Sequence, residues 1–313
     1  MEADLASVCT LGGVLFIGGI FMATKEFKTI EEQMDLLVSR GLSIPDRKKA
    51  AEFLYENNYY RVSGYSLTLR KHDRFYPSVS FQNIIDIYEF DYHFRHILLK
   101  YMDNIEVRVK SIYAYEFTKR YPPTGYLDAA LFSDQHKHSA ILSKAEQLKQ
   151  RRRPHEAYLK HFLDDRKEDI PLWAYVDVLT ISDVSMLYAI SPGDVKTAVA
   201  QAMGLTVSGE KLMEHFMHRM TIIRNLCAHS SRLYNRLFEQ KPRLSKKERG
   251  QLRRKPDGSE DNEHLYGFLL IMKRLLKPND FSKMKREIIQ LGKTYPFVHM
   301  KYYGFPDDWM ETL

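Results

Sequence analysis

The sequence predicts an all-α fold, a helical bundle with a possible small β-hairpin near residues 66–80. Three observations carry this. Apolar residues recur at three- and four-residue steps through most of the chain after about residue 26. The strongest such run, Phe81 to Tyr121, is far too long for a strand. Proline and glycine mark the breaks between runs, as in Pro122-Pro123-Thr124-Gly125 and at Gly204. The chain has 313 residues, enough to bury a sizeable core in one large or two small domains. Its 44% hydrophobic and 28% charged content is ordinary for a globular protein.

In chain order, residues 1–24 form an apolar extension, with no charge from Leu5 to Thr24. Twenty uncharged residues just suffice to span a bilayer. The leading charges are Glu2 and Asp4, against a signal peptide. Gly18-Gly19-Ile20-Phe21-Met22 can be encoded by a purine-rich ribosome-binding sequence, a spacer and a start codon. The expectation is therefore a translation start at Met22, with a membrane anchor as the alternative. Intact-mass analysis of native protein showing Met1 or Glu2 at the terminus refutes the Met22 start.

The main helical domain is expected over residues 25–240. Phe27, Ile30, Met34, Leu37 and Val38 predict a first helix closed by Gly41. Asp46 is the expected N-cap of a second, from Arg47 to about Tyr55. Asn58 to Tyr65 reads as a turn-rich stretch with Arg61 among tyrosines, where Arg61 either holds a phosphate or pairs with a carboxylate. The long helix follows, carrying Asp91, Arg95, Glu106 and Arg108. Arg151-Arg152-Arg153 is either an RNA-backbone contact or a solvated loop. Pro171 opens a helix through Leu187, and another spans Asp194 to Met203. Residues 241–262 read as a basic loop, whose charge would add salt-dependent affinity for a phosphate backbone. Residues 263–313 supply closing helices of the same domain, at about His264–Leu276 and Phe281–Leu291.

The chemistry concentrates in Arg224-Asn225-Leu226-Cys227-Ala228-His229-Ser230-Ser231-Arg232-Leu233-Tyr234-Asn235-Arg236. The periodicity predicts one amphipathic helix from about Glu210 to Phe238. At about 100° per residue, His218, Asn225, His229, Arg232 and Arg236 share one face, and Arg224 lies off it, about 140° from His229. Arginine binds phosphate bidentately and keeps its charge. Histidine gives and takes protons near neutrality. Together they suit RNA cleavage by its own 2′-hydroxyl, which needs no metal. The bland alternative is a solvated face with a capping histidine, since short motifs match by chance.

A net charge of +7 suits an anionic partner such as nucleic acid. Only Cys9 and Cys227 are present, which excludes a disulfide framework and a cysteine-based zinc site and fits the cytoplasm. The sequence has no P-loop, dinucleotide fingerprint, HExxH or nucleophile elbow. No cofactor or metal is expected.

Arg224-Asn225-x3-His229 resembles the R-x4-6-H signature of the HEPN superfamily of helical nucleases. Four strings resemble the Abi-like family of phage abortive-infection proteins, of the AbiD/AbiF type. They are Asn58 to Tyr65, Ile87 to Asp91 with Arg95 and Ile105-Glu106-Val107-Arg108, Pro171-Leu172-Trp173, and Arg224 to Arg236. The chain departs from the family pattern at Asp177, where glutamate is usual, and at Thr180 to Asp183.

The resemblance implies an HEPN-like bundle and a two-fold dimer with a composite site. It also implies phage defence by a metal-independent endoribonuclease that leaves 2′,3′-cyclic phosphates. His229 is then the general acid/base, Arg224 the phosphate binder, and Asn225 the orienting residue. Arg232, Arg236, Arg61 and Arg151 to Arg153 would add RNA contacts. The alternative is a non-catalytic RNA-binding module of a defence or toxin–antitoxin system.

Overall fold

In a computed structural model of the chain, residues 26–205 and 209–313 are described in full. Ahead of them only the backbone of three short antiparallel strands is described: β1 (Thr10–Leu11), β2 (Val14–Ile17) and β3 (Ile20–Ala23). The start at Met22 and the membrane anchor concern residues 1–24, whose side chains lie outside the described part. Among the described residues, no helix is long and apolar enough to cross a membrane. The fold is all-α, and the chain divides into two compact units, residues 1–85 and 86–313.

The first unit holds α1 (Ile30–Ser39), α2 (Arg47–Asn57) and α3 (Tyr59–Tyr65). Thr29 and Glu32 close a reciprocal capping box at the start of α1, and Asp46 accepts from the Lys49 amide at 2.9 Å to start α2. The Asn58–Tyr65 stretch is a helix rather than a run of turns. Asn58 takes the bend itself, at φ +60°, and its side chain accepts from the Tyr60 amide, so Tyr59 onward can wind. The expected hairpin is present as β4 (Arg70–Lys71) and β5 (Arg74–Phe75). His72 and Asp73 both have positive φ, the geometry of a two-residue type I′ turn. Met34, Leu37, Leu54, Val62, Tyr65 and Phe75 lie in this unit's core.

The second unit is built on α4 (Phe81–Thr118), which begins at the end of the first. Phe90, Phe94, Leu98, Tyr101, Ile105, Val109, Tyr113 and Phe117 are buried along it at helical spacing. Then come α5 (Gln135–Arg152), α6 (Ala157–Lys160), α7 (Leu172–Tyr175), α8 (Ile181–Ile190), α9 (Gly193–Ala202) and α10 (Gly209–Ala228). The helix expected from Pro171 to Leu187 is two. Thr180 and Asp183 form a capping box that starts α8 afresh, and buried Asp183 also takes an ion pair from Lys144 at 2.7 Å. The unit ends with α11 (Lys246–Arg249), α12 (Tyr266–Leu275), α13 (Pro278–Thr294) and α14 (Trp309–Thr312). α10 packs against α8, α9 and α12, burying Met213, Phe216, Met217, Met220, Ile223 and Cys227.

Candidate active site

The helix bearing Arg224 ends at Ala228, well short of the Phe238 that its periodicity suggests. The Ser231 amide donates to the Leu226 carbonyl at 2.8 Å, and the Ser230 amide to Cys227 at 3.1 Å. Ser230 turns left-handed, at φ +54°. Together these make a Schellman termination with His229 as the C-cap. The His229 amide still reaches the Asn225 carbonyl at 2.9 Å, so helical geometry holds through the motif itself. Arg224, Asn225 and His229 are all exposed. At about 100° and 1.5 Å per residue, Arg224 and His229 diverge by about 140° around the axis.

Arg232 and Arg236 therefore do not extend the helical face, a correction to what the periodicity suggests. Apolar spacing continues past Ala228, but it does so in an irregular segment folded onto α4. There Arg232 donates to the Tyr234 carbonyl at 2.7 Å, and Arg236 reaches the Arg232 carbonyl at 3.4 Å and lies over the Phe238 ring. The segment is pinned by Asp91. Its carboxylate accepts from the amides of Tyr234 (2.9 Å) and Leu233 (3.2 Å), from the Tyr303 hydroxyl (2.9 Å) and from Arg95. Asp91 and Arg95 are both fully buried. The Asn235 amide donates to the Tyr302 carbonyl at 2.9 Å, which ties the same segment to the C-terminal part of the chain. Tyr234 packs edge-on against Tyr302 and Tyr303.

About four turns further along, α4 reaches the motif from behind. Glu106 lies 4.0 Å from the Arg224 guanidinium and 2.7 Å from Lys110. Arg108 donates to the Leu275 carbonyl at 2.7 Å and caps the C-terminal end of α12. Cys227 points inward. Burial pushes its thiol up to about 12, which leaves it unreactive. Among the described residues, no three His, Cys, Asp or Glu side chains converge to hold a metal ion.

The remaining candidates are scattered. Arg151 is exposed at the end of α5, Arg152 donates to the Asp177 carbonyl at 2.6 Å, and Arg153 pairs with Asp164. Arg61 lies half-buried on α3 in the first unit. His218, expected on the same helical face as His229, contacts Gln240 at 3.0 Å. The basic residues of 241–262 are paired only in part. Arg274 grips Glu248 through two bonds, Lys241 and Lys255 share Glu263, and Arg253 meets Asp261.

Sequence reasoning did not give Asp91 and Arg95 a role. The signal was present: opposite charges four residues apart, each directly after a phenylalanine of the apolar stripe. A family model described as Abi-like protein matches residues 52–235, more than half of the chain and inclusive of α4, α10 and the Asp91-bound segment. No curated protein and no solved structure matches it.

Proposed function

The chain belongs to the Abi-like protein family, which ties it to abortive infection, and from that premise we propose that it defends against phage as a metal-independent endoribonuclease of HEPN type. One observation supports this most. An arginine, an asparagine and a histidine stand exposed at the end of α10, where a helix termination and the Asp91 carboxylate hold the backbone that follows and Glu106 lies 4.0 Å from Arg224. A cationic donor such as Arg224 stabilises negative charge that develops on a phosphate during a reaction.

In this reading His229 takes the proton of a ribose 2′-hydroxyl. The 2′-oxygen attacks phosphorus, the bond to the 5′-oxygen breaks, and the protonated imidazole returns its proton to the leaving oxygen. The products are a 2′,3′-cyclic phosphate and a 5′-hydroxyl. Arg224 neutralises the phosphate as charge builds. The divergence of Arg224 from His229 favours a two-fold dimer. There Arg224 of one copy works beside His229 of the other.

Induced expression in a bacterial host tests this, with wild type beside Arg224→Ala and His229→Ala. Growth arrest with fragmented RNA in wild type alone is the expected result. Equal arrest by all three with intact RNA overturns it, in favour of a non-catalytic RNA-binding module.

A further inference from the structure

His229 does not stand alone on its side of α10. His218 lies eleven residues earlier, within about 20° of the same direction and about 16 Å along the axis. Beside it are His215 and Arg219, and facing them is the segment Gln240 to Arg243. Gln240 bridges the helix and this segment, its side-chain oxygen 3.0 Å from His218 and 2.8 Å from Arg219. The Arg243 amide donates to the His215 imidazole at 2.9 Å.

The charges here share one sign. Burial drives the His215 imidazole down to about 4, and the neighbouring Arg219 and Arg243 guanidinium groups push it the same way. Burial also lowers Arg219, and the charge acting on it is that of Arg243. Elsewhere in the same stretch, basic residues meet carboxylates, as Lys241 does at Glu263. Mutual repulsion of this kind is unfavourable in the isolated chain and is relieved by an anion.

The segment is also anchored to its surroundings. The Pro242 carbonyl accepts from the Asn262 side chain at 2.9 Å, and Pro242 is buried against Gly267 of α12. A Cβ at Gly267 would come within 2.6 Å of the Asn262 side chain and 3.1 Å of Pro242, so only glycine admits this approach. The Phe238 amide fixes the start of the segment, donating to the Glu263 carbonyl at 2.7 Å. Arg243 is thus an exposed cation on an anchored backbone.

We propose that His218, Arg219 and Arg243 form a track for the phosphate backbone of single-stranded RNA, running along α10 from His229. The inference rests on the ribonuclease reading and extends it to how the strand is held. The track lies on the His229 side of the helix, away from Arg224. An RNA engaged by His229 therefore continues along the same copy's α10, while its scissile phosphate meets Arg224 of the other copy. Recognition is through phosphates, so the track carries no base preference of its own.

The test uses full-length protein and a fluorescent single-stranded oligouridine, with affinity measured across a salt series. The variants are Arg243→Gln, which alters an exposed side chain, and the pair Arg219→Gln with Arg243→Gln, each checked for its unfolding temperature. The pair is expected to weaken binding about ten-fold or more. The slope of log affinity against log salt should become shallower by about 0.7 for each phosphate that is no longer neutralised. KM should rise while the single-turnover rate at saturating RNA is kept.

Unchanged affinity and slope in folded variants overturn the proposal, and point to an acidic protein partner for this face. The two readings fail separately. Salt-dependent binding that weakens in the variants, without any cleavage, keeps the track and removes the nuclease. Cleavage with KM and slope untouched by the variants removes the track and keeps the nuclease.

Discussion

Replacing Asp91 by asparagine should destabilise the second unit more than any surface change. The native carboxylate faces at least four donors, among them two backbone amides, one hydroxyl and one guanidinium. Asparagine keeps one oxygen, which can still serve Tyr234 and Tyr303. Its amide group then points donors at the Leu233 amide and Arg95. Breaking a buried ion pair from one side costs about 3–5 kcal/mol. Stranding a buried amide adds about 1–3 kcal/mol. The two overlap, so about 4–6 kcal/mol is expected, a large share of the roughly 5–15 kcal/mol that holds a typical domain.

In a unit of this size that corresponds to a Tm lower by roughly 10–20 °C. Thermal and urea unfolding followed by circular dichroism measure it. Pairing the change with Arg95→Met sharpens the test. A simple buried ion pair recovers stability when both charges go. Here recovery should be incomplete, because the Leu233 amide still faces the asparagine amide group where it had a carboxylate oxygen. Asp91→Asn within about 1 kcal/mol of wild type, judged against the cost of breaking a buried pair, would refute the claim that this carboxylate pins the segment after His229.

Three further outcomes are expected. The His215 imidazole is held at about 4 when folded, against 6.5 as its ordinary value, so the unfolded chain binds the extra proton between those pH values. Stability is then fully present above about pH 6.5 and lost as pH falls toward 4; discounted for partial exposure, the loss is about 1–2 kcal/mol. Urea titrations across that window should show the slope reduced in His215→Gln. Cys227 should resist iodoacetamide at pH 8 in the folded protein and react on unfolding, read by peptide mass mapping; rapid native labelling would contradict its burial. Glu106→Gln should cost about 1–3 kcal/mol, because it takes the carboxylate from Lys110, 2.7 Å away and largely buried, while the long Arg224 pair adds little. Its effect should appear in turnover, and equal turnover would remove Glu106 as a positioning residue.

The helices, the hairpin and the caps at Asp46 and Gly41 were legible in the sequence because each follows from local spacing and chemistry. What was not legible has two sources: local caps at Asn58 and Thr180 that start helices afresh, and partners distant in the chain. The end of α10 is one case. Leu233, Leu237 and Phe238 continue the apolar spacing, yet Leu233 and Phe238 are buried by an irregular segment that Asp91 holds, about 140 residues earlier. Periodicity reports burial, and burial alone does not distinguish a helix from a loop folded onto one. The basic stretch after residue 240 is another. Its counter-ions Glu260, Asp261 and Glu263 sit at its far end, so charge counting over its first half read as exposed excess. Arg224, Asn225 and His229 were singled out by spacing. The carboxylate that holds their neighbourhood was visible only as an i, i+4 charge pair inside an apolar stripe.

The most direct measurement is cleavage of a defined RNA by purified protein in the presence of a chelator, with the ends identified by mass spectrometry. Wild type, Arg224→Ala, His229→Ala and a refolded equimolar mixture of the two variants are compared. Wild type should give 2′,3′-cyclic phosphate and 5′-hydroxyl ends, and either variant alone should give none. A site built from Arg224 of one copy and His229 of the other leaves one intact site in each mixed dimer, so the mixture should recover about a quarter of wild-type activity. Cleavage undiminished in either variant would contradict the assignment of Arg224 and His229 to the chemistry.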